Sequence, residues 1–154
     1  MIYDDGSIYE GCFQRGVANC SQALFIKYNG SFYRGAIREN KANGYGDLST
    51  AKLFYKGHWQ NDLPEGKGRE IYSSISFYEG EFKAGKKQGQ GIYQWNQNEY
   101  YIGKFENNKL HGKGDLITQG YTYKGEFREG KKQGKGKYID NEAKFEYLGD
   151  WVDN

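Results

Sequence analysis

Few residues in this chain are of types that do chemistry. The histidines, His58 and His111, lie far apart in sequence, and the cysteines, Cys12 and Cys20, share no CxxC spacing. So distributed, they assemble neither a zinc site nor a nucleophile with its base. Cys12 and Cys20 read as small unpaired core residues, with a disulfide across one hairpin as the alternative. Carboxylates such as Glu79 and Glu81 lack the burial that would move a carboxyl towards acid or base work. Gly89-Gln90-Gly91 is one of five Gly-x-Gly pairs, and no helix pattern follows any of them to set a helix N-terminus against a phosphate. No catalytic, cofactor-binding or metal-binding residue is assigned, and an enzyme is not expected.

What remains are collective features, rings and lysines. Aromatics make up 18% of the 154 residues while mean hydropathy is −0.98, so the apolar material is nearly all ring carbon, with few aliphatics for a thick core. A thin, extended object is expected. No apolar run approaches the roughly 18 to 20 residues of a membrane span, and Met1-Ile2-Tyr3-Asp4-Asp5 is not a signal sequence. The chain reads as soluble and cytoplasmic.

The rings are placed by a repeat. Tyr78 to Gly91, YEGEFKAGKKQGQG, returns at Tyr123 to Gly136 as YKGEFREGKKQGKG, with 10 of 14 positions identical. Units open at Tyr9, Tyr33, Tyr55, Tyr78, Tyr101, Tyr123 and Tyr147, a period near 23 that covers the chain as a single array over residues 1–154. Glycine stands two residues after each Tyr, as Gly80 or Gly103, and a large apolar residue four after it: Phe13, Ile37, Trp59, Phe82, Phe105, Phe127 or Trp151. That period of two sets all three on one face of a strand. Seven residues after the Tyr stand Gly16, Asn40, Asp62, Gly85, Asn108, Gly130 and Asn154, types that tolerate a turn. A second strand opened by Gly-x-Gly then completes a β-hairpin. Glycines inside strands weaken them, so a packing reason is required, and rings lying over neighbouring glycines supply one. The first unit has Cys20 and Gln22 for the glycines and reads as a degenerate end repeat; the last stops at its turn, so either the natural chain continues past Asn154 or a partner completes the hairpin, as in end-to-end self-association.

YxGxF, a turn and GxG every 23 or so residues closely resembles the MORN (membrane occupation and recognition nexus) repeat. The resemblance covers about Tyr9 to Asn154 and implies an all-β fold: an elongated, twisted, single-layer antiparallel sheet of successive hairpins, solenoid-like. It also implies a scaffold or targeting module, with any catalysis confined to an appended domain.

Two surfaces are candidates. The first is the aromatic face of Tyr33, Tyr55, Trp59, Tyr78, Phe82, Tyr101, Phe105, Tyr123, Phe127, Tyr147 and Trp151. These rings serve as the thin core, and a single-layer sheet leaves part of them to meet a helix or extended peptide. The second is a basic edge of Lys86, Lys87, Lys109, Lys113, Lys131, Lys132, Lys135 and Lys137. Positions eight to fourteen of the second to sixth units carry a net +8, leaving −6 elsewhere in a chain of net +2. Such an edge attracts acidic lipid or an acidic protein. Rings on one face and lysines on an edge make a poor platform for nucleic acid. The expected function is a non-enzymatic scaffold with protein partners in a multi-subunit cytoskeletal assembly, with the ciliary axoneme favoured by a composition that suits an AT-rich genome. The alternative is a peripheral membrane module that binds acidic phospholipid or phosphoinositide through the lysine edge.

Overall fold

A computed structural model describes residues 1–154. It holds no helix and 15 strands: β1 (Ile8–Glu10), β2 (Phe13–Gln14), β3 (Val17–Ala18), β4 (Cys20–Ile26), β5 (Phe32–Arg38), β6 (Lys41–Ser49), β7 (Phe54–Gln60), β8 (Leu63–Ile71), β9 (Phe77–Lys83), β10 (Lys86–Gln94), β11 (Tyr100–Glu106), β12 (Lys109–Ile117), β13 (Tyr121–Arg128), β14 (Lys131–Asp140) and β15 (Glu146–Trp151). All but β2 and β3 form one antiparallel sheet, ordered as in the chain and not closed. The residues cluster as two compact units, Met1–Tyr72 with Phe82–Gly85, and Ser73–Glu81 with Lys86–Asn154.

The turns come from residues that accept positive φ. Asn107 and Asn108 sit at 50° and 68°, Asn61 and Asp62 at 49° and 67°, the pair of left-handed residues that a two-residue hairpin of type I′ needs. Position seven is the turn, as its residue types indicate. Position six shares the conformation without the suitable side chain at Ala84 (φ 47°) and Glu129 (φ 52°). Replacing Ala84 by glycine is therefore expected to stabilise the protein by about 0.5 to 1 kcal/mol, measurable by urea denaturation.

Each turn is also tied to the hairpin before it. The N–H of Asn40, Asp62, Asn108 and Asn154 donates to the carbonyl of Ala18, Ala42, Lys87 and Lys132, at 3.0 to 3.2 Å. Their side-chain oxygens accept the N–H of those same four residues at 2.7 to 3.0 Å. Gly85 keeps only the backbone half, to Pro64. The pairing is sensible, because proline has no N–H for a side chain at position 85 to accept. Asn108→Ala, which loses the clasp and leaves alanine at positive φ, is expected to cost about 1 to 2 kcal/mol in the same measurement.

The two glycines of Gly-x-Gly have different jobs, and neither opens the strand. The return strands begin three residues earlier, at Lys41, Leu63, Lys86, Lys109 and Lys131. In the hairpin of β11 and β12 the register runs from Phe105↔Leu110 to Gly103↔Gly114, so that His111, Gly112 and Lys113 oppose Lys104 alone. The first glycine lies in this bulge at positive φ: Gly112 at 59°, Gly66 at 71°, Gly134 at 64°. The second faces the opening Tyr. A Cβ on Gly68 would lie 2.7 Å from Tyr55 Cζ, and one on Gly91 2.6 Å from Tyr78 Cε2, both inside van der Waals contact. The rings do lie over glycines.

The first hairpin is less regular, as Cys20 and Gln22 lead one to expect. Its long strands break into β1 with β4 and a separate β2–β3 ribbon, and Tyr9 packs over Gly11 beside Ala23. The expectation of unpaired core cysteines is overturned here. Cys12 and Cys20 flank the β2–β3 ribbon with Cα atoms 5.0 Å apart and form a disulfide; Cys12 is exposed rather than core.

Candidate interaction surfaces

The opening tyrosines are built into the backbone. Each donates its hydroxyl to the carbonyl three residues on, including Tyr33 to Ala36 (2.7 Å), Tyr55 to His58 (2.9 Å), Tyr78 to Glu81 (2.9 Å) and Tyr101 to Lys104 (2.9 Å). In β11 that carbonyl belongs to the residue opposite the bulge, where the ladder is interrupted. The hydroxyl satisfies an acceptor that the sheet cannot, which gives tyrosine a reason that phenylalanine lacks.

The rings then cover one another. In the first unit Trp59 meets Tyr33 and Tyr55 at centroid distances of 5.5 and 4.9 Å, and Tyr55 meets Phe82 at 5.3 Å. In the second, Phe105 lies between Tyr78 (4.9 Å) and Tyr101 (5.2 Å), Phe127 between Tyr101 (5.2 Å) and Tyr123 (5.1 Å), and Trp151 between Tyr123 (5.1 Å) and Tyr147 (5.4 Å). All are edge-to-face, with the ring four residues after one Tyr seated on the Tyr of the hairpin before. Trp59 and Trp151 also donate Nε1–H to the carbonyls of Gly46 (3.0 Å) and Gly136 (3.3 Å).

The rings form the thin core, and the part of the face left open is small. Tyr33, Tyr55, Trp59, Tyr78, Phe82, Tyr101, Phe105, Tyr123 and Phe127 are buried, and only Tyr147 (40% exposed) and the half-buried Trp151 remain accessible. Burial pushes the phenol of Tyr33 up to about 12, and raises those of Tyr55 and Tyr101 too.

The lysines also divide. Strand alternation sends neighbours to opposite sides, so Lys86 and Lys131 are exposed while Lys87 and Lys132 turn over the rings. Lys132 Nζ stands 4.3 Å from the ring centre of Tyr121, 5.1 Å from Trp151, 5.4 Å from Tyr138 and 5.5 Å from Tyr123, and its pKa is lowered by desolvation. Lys109, Lys131 and Lys137 pair with Glu129 (2.7 Å), Asp153 (3.4 Å) and Glu146 (2.9 Å). Lys86, Lys113 and Lys135 are exposed. The eight lysines do not form one continuous edge.

The first unit holds a groove of about 760 Å³. Phe25, Tyr33, Ile37, Leu48 and Trp59 line it, together with Asp4, Asp5 and Asp62 against a single Lys27. Nothing in the spacing pattern marks it, because Asp4 and Asp5 precede the first repeat, which opens at Tyr9.

The MORN repeat profile matches residues 55–74, 78–99, 101–117 and 123–141, which together span just over half of the chain. The chain belongs to the MORN repeat family. None of the curated proteins matches it at a significant level. The two hairpins before Tyr55 follow the MORN geometry without matching the profile, and they carry the departures, Ile37 for an aromatic and Cys20 with Gln22 for glycines. MORN repeats are protein- or membrane-interaction modules, generally without enzymatic activity. One grouping in this MORN array escapes the repeat pattern: Glu106, His111 and Glu129, from two successive hairpins, bring their ligand atoms within 4.8 Å of one another.

Proposed function

We propose that this MORN chain is a non-enzymatic scaffold in a cytoskeletal assembly, ciliary in its most specific form, and that a protein partner docks in the groove of the first unit. The groove's composition carries the reading. Its volume of about 760 Å³ is that of a built binding site, with an aromatic and aliphatic floor and three carboxylates against one lysine at its wall. The complementary partner is a segment with an apolar anchor beside Lys or Arg, so that the anchor supplies affinity and the charges set orientation. The cytoskeletal setting rests on the family resemblance.

Peptide display on the immobilised chain tests this. Selected sequences should place an aromatic or large aliphatic residue next to a basic one, and Asp4→Lys should weaken their binding at least fivefold. Enrichment of acidic peptides, or binding unmoved by Asp4→Lys, would sink the idea.

Acidic phospholipid is the second reading, supported by exposed Lys86, Lys113 and Lys135. Three separated lysines, each contributing about 1 kcal/mol near an anionic surface, make a weak anchor at physiological salt. The chain is therefore expected to stay in the supernatant when sedimented with phosphatidylserine vesicles at physiological salt. Pelleting abolished by charge reversal at the three lysines would put the membrane first.

A further inference from the structure

We propose that Glu106, His111 and Glu129 form a binding site for a divalent cation of the zinc type. The site stands on the second unit, where the end of β11 and the start of β12 meet the β13–β14 turn. Nothing in the protein-docking reading requires it.

The geometry is close to a ligand set. His111 Nε2 lies 3.2 Å from Glu106 Oε2, and with a Glu129 oxygen all three atoms fall within 4.8 Å. Zinc bonds of about 2.0 to 2.2 Å at tetrahedral angles hold ligand atoms roughly 3.3 to 3.6 Å apart. Glu106 and His111 already stand near that separation, and Glu129, exposed at a turn, needs only a small rotation to close the set. One imidazole with two carboxylates suits zinc and its neighbours; magnesium and calcium prefer oxygen alone. Three protein ligands leave a position for water or a partner's side chain.

In two neighbouring hairpins the residue at the position of His111 has a structural task. Ten residues after the opening Tyr, Glu65 accepts the N–H of Ala84 at 2.8 Å and Gln88 that of Asn107 at 3.3 Å, each stitching the next turn. His111 stands in that position, and its Nδ1 is buried with no hydrogen-bond partner. That nitrogen is not the one offered to a cation; what the site uses is Nε2, which faces Glu106. Only this hairpin, among the seven openings, combines Glu, His and Glu at these offsets.

Lys109 is the competitor. Its Nζ bonds Glu129 Oε2 at 2.7 Å and helps to hold that carboxyl below its ordinary range. The carboxylate is kept anionic and ready, and a cation must displace or share the ammonium.

Calorimetric titration of the untagged full chain with zinc chloride is the test, with thermal melting alongside. The disulfide removes Cys12 and Cys20 as rival ligands. One zinc per chain should bind with micromolar affinity and raise the melting temperature, whereas magnesium and calcium should not. His111→Gln should abolish binding and still fold, because Gln88 and Gln133 fill the same position in neighbouring hairpins. His58→Gln should bind as the parent does, and Lys109→Met should bind severalfold more tightly. Zinc binding that survives His111→Gln, is lost in His58→Gln, is matched by calcium, or is absent at 100 µM (roughly the top of a micromolar range) overturns the site.

Discussion

Gly114→Ala is expected to cost roughly 3 kcal/mol of stability, the upper range for forcing a methyl group into a packed core. The new Cβ would press on Tyr101 Oη and lie 2.5 Å from two of its ring carbons. The ring cannot retreat. It is fully buried, its hydroxyl is bonded to the Lys104 carbonyl at 2.9 Å, and Phe105 and Phe127 each hold it edge-on at 5.2 Å. The paired strand is equally tight, since a Cβ on Gly103 would lie 2.6 Å from Gly114 Cα. Gly120→Ala is the control: a Cβ there meets nothing within 4 Å, and its cost should stay within about 0.5 kcal/mol. Urea denaturation of the two variants decides the matter. On a Tyr101→Leu background, where the ring is gone, the cost of Gly114→Ala should fall below about 1 kcal/mol, which separates the collision from any intrinsic strand preference. Equal stability of Gly114→Ala and Gly120→Ala would remove the ring seat as the reason for the glycine.

That glycine shows where the sequence is legible and where it stops. Tyr101, Gly103 and Phe105 at spacing two declare a shared strand face, and Asn108 declares the turn, because both facts are local. The division of labour between Gly112 and Gly114 is not local. It follows from the shift between the pairs Phe105↔Leu110 and Gly103↔Gly114, which exists only once two strands are registered. The rings read as core from their spacing, but how fully they are covered is not local either: Tyr101 is covered by Phe127, from the following hairpin. Lys131 and Lys132 are neighbours in sequence, yet the strand alternation that places the rings sends Lys132 alone to their side. The disulfide is the second reading of the sequence because a cytoplasmic chain is expected to keep its thiols reduced, and the closeness of Cys12 and Cys20 shows only when the β2–β3 ribbon is formed. Glu106, His111 and Glu129 lie at three different offsets in two units, so no single-unit spacing joins them.

Raising the pH above 10 should unfold the array by a route that runs through the same rings. Burial raises the phenols of Tyr33, Tyr55 and Tyr101 above their unfolded value near 10, Tyr33 to about 12. The folded state therefore keeps these protons while the unfolded chain gives them up. Stability contributed by the neutral phenols is complete below pH 10 and falls as pH climbs towards 12 and past it. Each ring that ionises only when unfolded removes about 1.4 kcal/mol per pH unit, so three together remove roughly 4 kcal/mol per unit once the unfolded phenols are ionised. A marginally stable domain cannot sustain that for more than two or three units. Exposed phenols should titrate first, near pH 10, and the buried ones should then ionise together with the loss of circular dichroism in one steeper step at higher pH. Tyr101→Phe separates ionisation from packing. It should cost about 1 kcal/mol at neutral pH, where the Lys104 carbonyl loses its donor, and make the alkaline loss shallower by one ring's share. Ionisation of the full complement of 15 tyrosines near pH 10 with the sheet intact would show that the buried phenols are open to water.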